Sequence, residues 1–351
     1  MLPSTMLGEG AYGKVYEQDG RAIKVSEIET MDDLIPTARE LFILGKGIPG
    51  CVPYQSSYFE DHSIHVVMEK ANSNLRGINI DPRAVAIQLL QTLYKMHHLR
   101  IMHRDLKLGN VLIKGDRVWV CDFGLSRQFC NECGEEGSEY VFTSWYRAPE
   151  VFREKGYTDK GDMWSLGCLL HKMVHGDVPG KDLDEILRHV PSLSADGEMN
   201  TLIKNLLRVN PNDRWSAETA LTFLKQPCTP CNDTFAVRTR VRSRRRTKWF
   251  NVFRAAFPDD HRVLAHGLML FDKSKQEKKS MCGAMAVAAM LFKTDPDDII
   301  DFAAEHFCSQ VTSFQGFLST YIPFVCDGEL SEWERSDVGF DAYIKQNFKL
   351  C

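Results

Sequence analysis

Two short runs combine residue types and spacings that suit phosphoryl transfer. His103-Arg104-Asp105-Leu106-Lys107-Leu108-Gly109-Asn110 is the first, and Asp122-Phe123-Gly124 follows it in the chain. Moving a phosphoryl group needs a base to orient the acceptor hydroxyl and oxygen ligands for magnesium. The first run supplies both within one loop-length stretch. A third run, Gly8-Glu9-Gly10-Ala11-Tyr12-Gly13-Lys14-Val15, has the GxGxxGxV spacing. Glycines there let backbone amides approach phosphate with no Cβ in the way. Alone, such a run also describes an ordinary flexible hairpin. It gains weight from Ala22-Ile23-Lys24, where a lysine can hold α- and β-phosphates. Trp145-Tyr146-Arg147-Ala148-Pro149-Glu150 closes the series. Any one tripeptide is within chance; all of them in this order are not.

These residues need elements to hold them. Strand-like alternation around Val15-Tyr16 and Ala22 to Val25 flanks Asp19-Gly20, a hairpin-turn pair. Val118-Trp119-Val120 reads as a strand delivering Asp122. After Leu34 helical periods dominate. Prolines 227 and 230 mark a boundary, and arginines at 238, 240, 242, 244, 245 and 246 follow it.

Residues from about Leu7 to Gln226 resemble a eukaryotic-type protein kinase, and specifically the cyclin-dependent kinases. The narrower likeness rests on Gly8 to Gly13, Pro36-Thr37-Ala38-Arg39-Glu40, Thr143 to Glu150, Asp162 to Gly167 and Asn210 to Arg214. The fold it implies is α+β and bilobal, with a small β-rich N-lobe and a helical C-lobe. It implies ATP and Mg2+ as cofactors. Asp105 would orient the substrate hydroxyl and take its proton, and Lys107 would stabilise the transferring group. Asn110 and Asp122 would hold magnesium, and Lys24 would pair with Glu40. Gly8, Gly10 and Gly13 would cover the phosphates. Val15, Ala22 and Leu112 would sandwich adenine, with backbone groups of Glu69 and Ala71 at its edge and Met68 behind. Glu150 and Arg214 would form a buried structural ion pair. Lys107, with Thr143 bridging it to Asp105, implies Ser/Thr acceptors in protein substrates. Trp145-Tyr146-Arg147 suggests a proline after the target residue.

Regulation follows from the same likeness. Arg39, Arg104 and Arg127 match three arginines that grip an activation-segment phosphate, since converging guanidiniums repel without an anion. Ser138 falls where that phosphate would be carried, with Glu135, Glu136 or Glu139 as partial substitutes. Tyr12 is retained as a regulatory position beside Ala11, where the family has a phosphorylated threonine. The chain departs further at Leu108-Gly109 and in a shortened stretch between Met173 and Leu202, which puts substrate docking there in doubt.

The chain has 351 residues, enough for about two domains. Its formal net charge of −4 argues against nucleic-acid binding by the chain as a whole. The longest uncharged apolar run, Gly283 to Phe292, is too short to span a membrane. An N-terminus without a secretory pattern and an odd count of 11 cysteines suggest a reduced, intracellular compartment. The pairs Cys130/Cys133 and Cys228/Cys231 have zinc-like spacing, but nothing in the sequence brings them together.

The remainder reads as helices. Met281 to Phe292 is apolar on every side and needs to be surrounded. Leu264, Leu268 and Phe271 form one stripe, and Phe314, Phe317, Leu318 and Tyr321 another. Asp295-Pro296 is a helix-start pair. This pattern resembles a single cyclin box, an all-α, five-helix domain in which Val263 to Asp272 and Gly283 to Lys293 match the second and third helices. The expected organisation is a kinase domain at 1–227, a basic linker at 228–247 and a cyclin-like domain at 248–351. Such a chain would carry its own activator, tethered at high effective concentration. The 20 residues from Cys228 to Thr247 reach at most about 70 Å when extended, and a partner chain activated in trans is the alternative. The basic run reads as a solvated linker, a nuclear-import signal or a weak patch for nucleic acid or acidic substrates. Two further readings stand beside an active, self-activated enzyme. One is a catalytically dead scaffold, which the presence of Lys24, Asp105, Asn110 and Asp122 opposes. The other is a kinase whose C-terminal helices bind partners without activating it.

Overall fold

A computed structural model describes residues 5–228 apart from 11, 129–143, 153–157 and 181. Ala11, Cys130, Cys133, Ser138, Thr143, Cys231, the basic run and the cyclin-like segment lie outside the described residues. The described chain forms two compact units, one from residues 5–47 and 53–70, the other from 48–52 and 71–228.

The first unit is a five-stranded antiparallel sheet with one helix. Its strands are β1 (Thr5–Gly10), β2 (Gly13–Gln18), β3 (Arg21–Glu27), β4 (Tyr54–Glu60) and β5 (Ser63–Glu69), and its helix is α1 (Met31–Gly45). The spatial order is β1-β2-β3-β5-β4. Asp19 and Gly20 join β2 to β3 with φ of 51° and 75°, the doubly left-handed turn that Asp-Gly favours. Register sorts the two faces, because directly opposed residues point the same way and alternate along each strand. Lys24 opposes Val15 and Val66, and Ala22 opposes Met68, so these share one face. Tyr16, Val25, His65 and Tyr58 share the other. α1 starts where the Thr30 N–H donates to the Asp33 carboxylate at 2.9 Å, and it runs through Pro36.

Helical dominance after Leu34 holds for α1 but fails from Tyr54 to Glu69, where β4 and β5 pair. Val66, Val67 and Met68 make β5 buried and nearly continuous in apolar residues. Such a run carries no period, so sequence alone does not separate strand from buried helix.

The second unit is mainly helical. Its elements are β6 (Ser73–Asn74), α2 (Pro82–His98), β7 (Ile101–Met102), β8 (Val111–Lys114), β9 (Arg117–Val120), β10 (Arg127–Gln128), α3 (Pro149–Phe152), α4 (Asp159–His175), α5 (Leu183–His189), α6 (Glu198–Leu206) and α7 (Ala217–Phe223). The Asp81 carboxylate caps α2 by accepting the Arg83 and Ala84 N–H groups at 3.0 and 3.3 Å, ahead of Pro82 in the first turn. α2 packs on α4, α7 and β9, and α4 packs on α6. Gly50, at φ 98°, closes on α2, and a Cβ there would sit 1.9 Å from Thr92 Oγ1.

Arg214 ties the base of this unit together. Its guanidinium donates to both Glu150 carboxylate oxygens at 2.6 and 2.9 Å and to the carbonyls of Arg208, Lys160 and Val209. All five donors are thus used, as a buried guanidinium requires. Among the described residues no helix is long and apolar enough to cross a membrane, and no group of three or more His, Cys, Asp or Glu could hold a metal ion.

Candidate active site

β3 carries Lys24 and α1 carries Glu40, both buried within the first unit. Lys24 Nζ lies 2.5 Å from Glu40 Oε2. A buried pair of this kind is costly to desolvate and adds little net stability, so its presence points to a use for the charge. Val15, Ala22 and Met68 lie on the same sheet face as Lys24. Glu69 ends β5, where its N–H donates to the Pro53 carbonyl at 2.9 Å.

The glycines before β2 differ in what they do. At Gly13, φ is 139° and a Cβ would meet the Val25 carbonyl oxygen at 2.5 Å, so the fold itself demands glycine. At Gly8 a Cβ would meet nothing within 4 Å, and at Gly10 only the Gly13 carbonyl oxygen at 3.8 Å. Packing does not require glycine at those two positions. Tyr12 holds the turn through its carbonyl, which accepts the Ser26 hydroxyl at 2.7 Å.

In the second unit, β7 leads into the loop 103–107. Asp105 Oδ2 accepts from Lys107 Nζ at 2.6 Å and from Asn110 Nδ2 at 2.9 Å. Asn110 Nδ2 also donates to the Asp105 carbonyl at 2.9 Å, so both amide hydrogens are spent. Asn110 Oδ1 and Asp105 Oδ1 are the atoms left for other partners. The Asp105 N–H donates to His103 Nδ1 at 3.2 Å, which leaves the proton on Nε2 to donate to the Cys121 carbonyl at 3.0 Å. His103 therefore joins the loop to the strand that delivers Asp122. Phe123 is fully buried against it, ring to ring at 5.3 Å.

Arg104 and Asp122 have φ of 70° and 67°, left-handed values that disfavour residues with a Cβ. Asp162, from α4, holds the strained backbone at Arg104. Its carboxylate accepts the His103 and Arg104 N–H groups at 2.8 Å each and His97 Nε2 at 2.9 Å. Burial by itself would raise the Asp162 pKa. The hydrogen bond and charge of His97, with help from His103 and the Arg104 amide, hold it below the ordinary carboxylate value. Sequence reading found Asp162 only as part of a motif and overlooked His97 altogether. Each is one polar residue among several on its helix, so its type does not identify its partner.

Gly109 lies beside Arg76. A Cβ there would meet the Arg76 guanidinium at 2.7 Å, the far end of a flexible side chain. Burial is the main cause that pushes the Tyr146 phenol up to about 12. Ala71 precedes Asn72, whose N–H donates to the Ile113 carbonyl at 2.8 Å, beside Leu112 on β8. Arg127 pairs with Met102 through β10 and β7, Arg104 sits in the loop itself, and Arg39 lies on α1 in the other unit.

A protein kinase domain model matches residues 3–223, well over half of the chain. The chain belongs to the protein kinase family. Among its relatives, mitogen-activated protein kinase 15 of Rattus norvegicus is 34% identical over 222 residues, covering 54% of this chain and 41% of that protein. Cell division control protein 2 homolog 3 of Trypanosoma brucei brucei is 31% identical over 282 residues, covering 62% of this chain and 88% of that protein. Serine/threonine-protein kinase dst1 of Dictyostelium discoideum is 32% identical over 195 residues, covering 50% of this chain and 26% of that protein. The chain spans about two-fifths of the length of the rat relative. Within this kinase domain the donor set fits Mg2+. Asn110 presents an amide oxygen fixed by its own hydrogen bonds, and Asp122 supplies a carboxylate, both hard oxygen ligands.

Proposed function

We propose that the chain is a cyclin-dependent-kinase-like protein serine/threonine kinase that transfers the γ-phosphate of ATP to protein hydroxyls. The observation that carries this is the fixed Asp105 carboxylate. Lys107 and Asn110 pin Oδ2, which leaves Oδ1 to meet an incoming hydroxyl. Asp105 orients that hydroxyl and receives its proton as the new oxygen–phosphorus bond forms and the bond to the departing ADP oxygen breaks. Lys107 stabilises charge on the transferring group, and Lys24, set by Glu40, holds the α- and β-phosphates. Mg2+, held by Asn110 and Asp122, would neutralise phosphate charge. Lys107 and Thr143 favour Ser/Thr acceptors, and Trp145-Tyr146-Arg147 favours a following proline. The test is transfer from labelled ATP to a Ser-Pro peptide: the wild-type chain transfers and Asp122→Asn does not. A wild-type chain that binds ATP without transfer to any Ser or Thr peptide overturns the reading in favour of a scaffold.

The regulatory part of the reading concerns what keeps Glu40 against Lys24. We assign that role to residues 248–351 acting as a cyclin-like domain on the α1 segment Pro36 to Glu40, with phosphorylated Ser138 as the anion for Arg39, Arg104 and Arg127. The resemblance of Gly283 to Lys293 to a cyclin helix supports it. Removing 228–351 lowers transfer at unchanged melting temperature under this reading. Full activity in the truncated chain would leave those helices as a partner-binding module. Ser138→Ala as active as wild type removes the phosphate from the scheme.

A further inference from the structure

The sheet of the first unit carries a groove of about 460 Å³ that the phosphotransfer reading does not use. It lies on the face opposite Lys24, with Tyr16, Val25, Tyr58 and His65 among its lining. Tyr58 stacks on His65 at 4.6 Å between centroids and is itself 39% exposed. Five carboxylates line the groove, those of Glu9, Glu27, Asp33, Glu60 and Asp61, against Lys14 as the single Lys or Arg. Two of the five are committed: Glu9 lies 3.9 Å from Lys14, and Asp33 caps α1. Glu27, Glu60 and Asp61 form no ion pair among the described residues. Burial lowers the His65 pKa, so its ring adds no compensating charge at neutral pH.

A surface of carboxylates beside aromatic faces suits guanidinium groups. They bond carboxylates in bidentate fashion and stack on tyrosine rings. The chain holds one dense source of them. Arginines at 238, 240, 242 and 244 alternate with Thr239, Val241 and Ser243, and Arg245, Arg246 and Lys248 follow. Period-two spacing puts the first four on one side of an extended strand. We propose that this basic run docks in the outer groove of the sheet, with its guanidiniums meeting Glu27, Glu60 and Asp61 and lying over Tyr58. The groove also touches Gly10, Tyr12 and Gly13, so its occupancy bears directly on the glycine turn. The proposal does not depend on phosphotransfer.

Two measurements test it on the full chain. In the first, the six arginines are changed to glutamine to expose the groove, and a fluorescent peptide of residues 237–248 is titrated back. Saturable binding is expected. It should weaken roughly tenfold or more in Glu27→Gln/Glu60→Gln/Asp61→Asn, and also between ~50 and ~300 mM salt. It should be unchanged in the control Asp116→Asn/Asp184→Asn/Glu218→Gln. Absent binding, or equal loss in both triple variants, overturns the proposal. In the second, a photo-crosslinking residue replaces Tyr58 in the otherwise natural chain. A link to 237–248 of the same chain is expected. A link to another segment or to a different protein overturns it. In a mixture of isotopically light and heavy chains, a light–heavy link gives the groove to a second copy and overturns the intramolecular arrangement.

Discussion

Arg104 and Asp122 hold left-handed backbone at φ 70° and 67°, a cost on the order of 1 kcal/mol or more each. Asp162 offsets part of the cost at Arg104 by accepting the two N–H groups of His103 and Arg104, and under the proposed function it would be a positioning residue. Asp162→Asn is expected to cost about 3 kcal/mol at neutral pH, because buried N–H groups and His97 lose a charged acceptor. Urea midpoints measure this. The pH dependence has a definite sign. Asp162 has a folded pKa below its ordinary 3.8, so the unfolded chain binds the proton more readily. Its stabilisation is present above about pH 3.8 and is lost as pH falls further through the folded value. The variant should lack this portion of the acid limb. The identities of Asp105, Lys107 and Asn110 were legible in sequence because their chemistry admits few substitutes. Asp162 was not legible as a partner, since its hydrogen bond to Arg104 spans 58 positions.

In the hairpin of β1 and β2 packing requires glycine at one position and not at another. Gly13→Ala forces a Cβ to within 2.5 Å of a backbone oxygen at φ 139°, and it should lower the melting temperature. Gly8→Ala meets no atom within 4 Å, so it should leave stability near wild type while raising KM for ATP roughly tenfold. Calorimetry and steady-state kinetics on the two variants distinguish the roles. If Gly8→Ala leaves KM unchanged, Gly8 makes no close approach to phosphate. Both glycines look alike in sequence, because only the path of β3 beneath Gly13 makes one of them obligatory. The β2–β3 turn was readable, since Asp-Gly encodes its own backbone geometry. The β4–β5 pair was not, because its turn, Asp61-His62, carries no such signal and β5 carries no period.

At the scale of the whole molecule, the kinase domain is followed by a basic run at 238–248 for which two roles are proposed above. Deleting 238–248 alone separates two ideas. If the run only tethers, removing it while keeping 249–351 shortens the link, and under the proposed cyclin-like reading it changes the activity. If it docks in the groove, adding peptide 237–248 in trans should restore the KM for ATP of the deleted chain toward the wild-type value. Steady-state kinetics with and without the peptide reads the difference.

The order of the motifs by itself pointed to phosphoryl transfer, and the resemblance those motifs carry implied a strand-rich and a helical portion. Those features are local, set by the few residue types that can hold magnesium, orient a hydroxyl or turn a hairpin. Tertiary structure decided which partners fix them. It set Lys24 against Glu40, left Asn110 with only its oxygen open, anchored Arg104 from a helix far along the chain, and used every donor of Arg214. It also decided that one sheet face presents Lys24 while the other gathers carboxylates around Tyr58. The physical reason is that strand register, and the packing of helices distant in sequence, determine which side chains meet, and neither is written into any single stretch of residues.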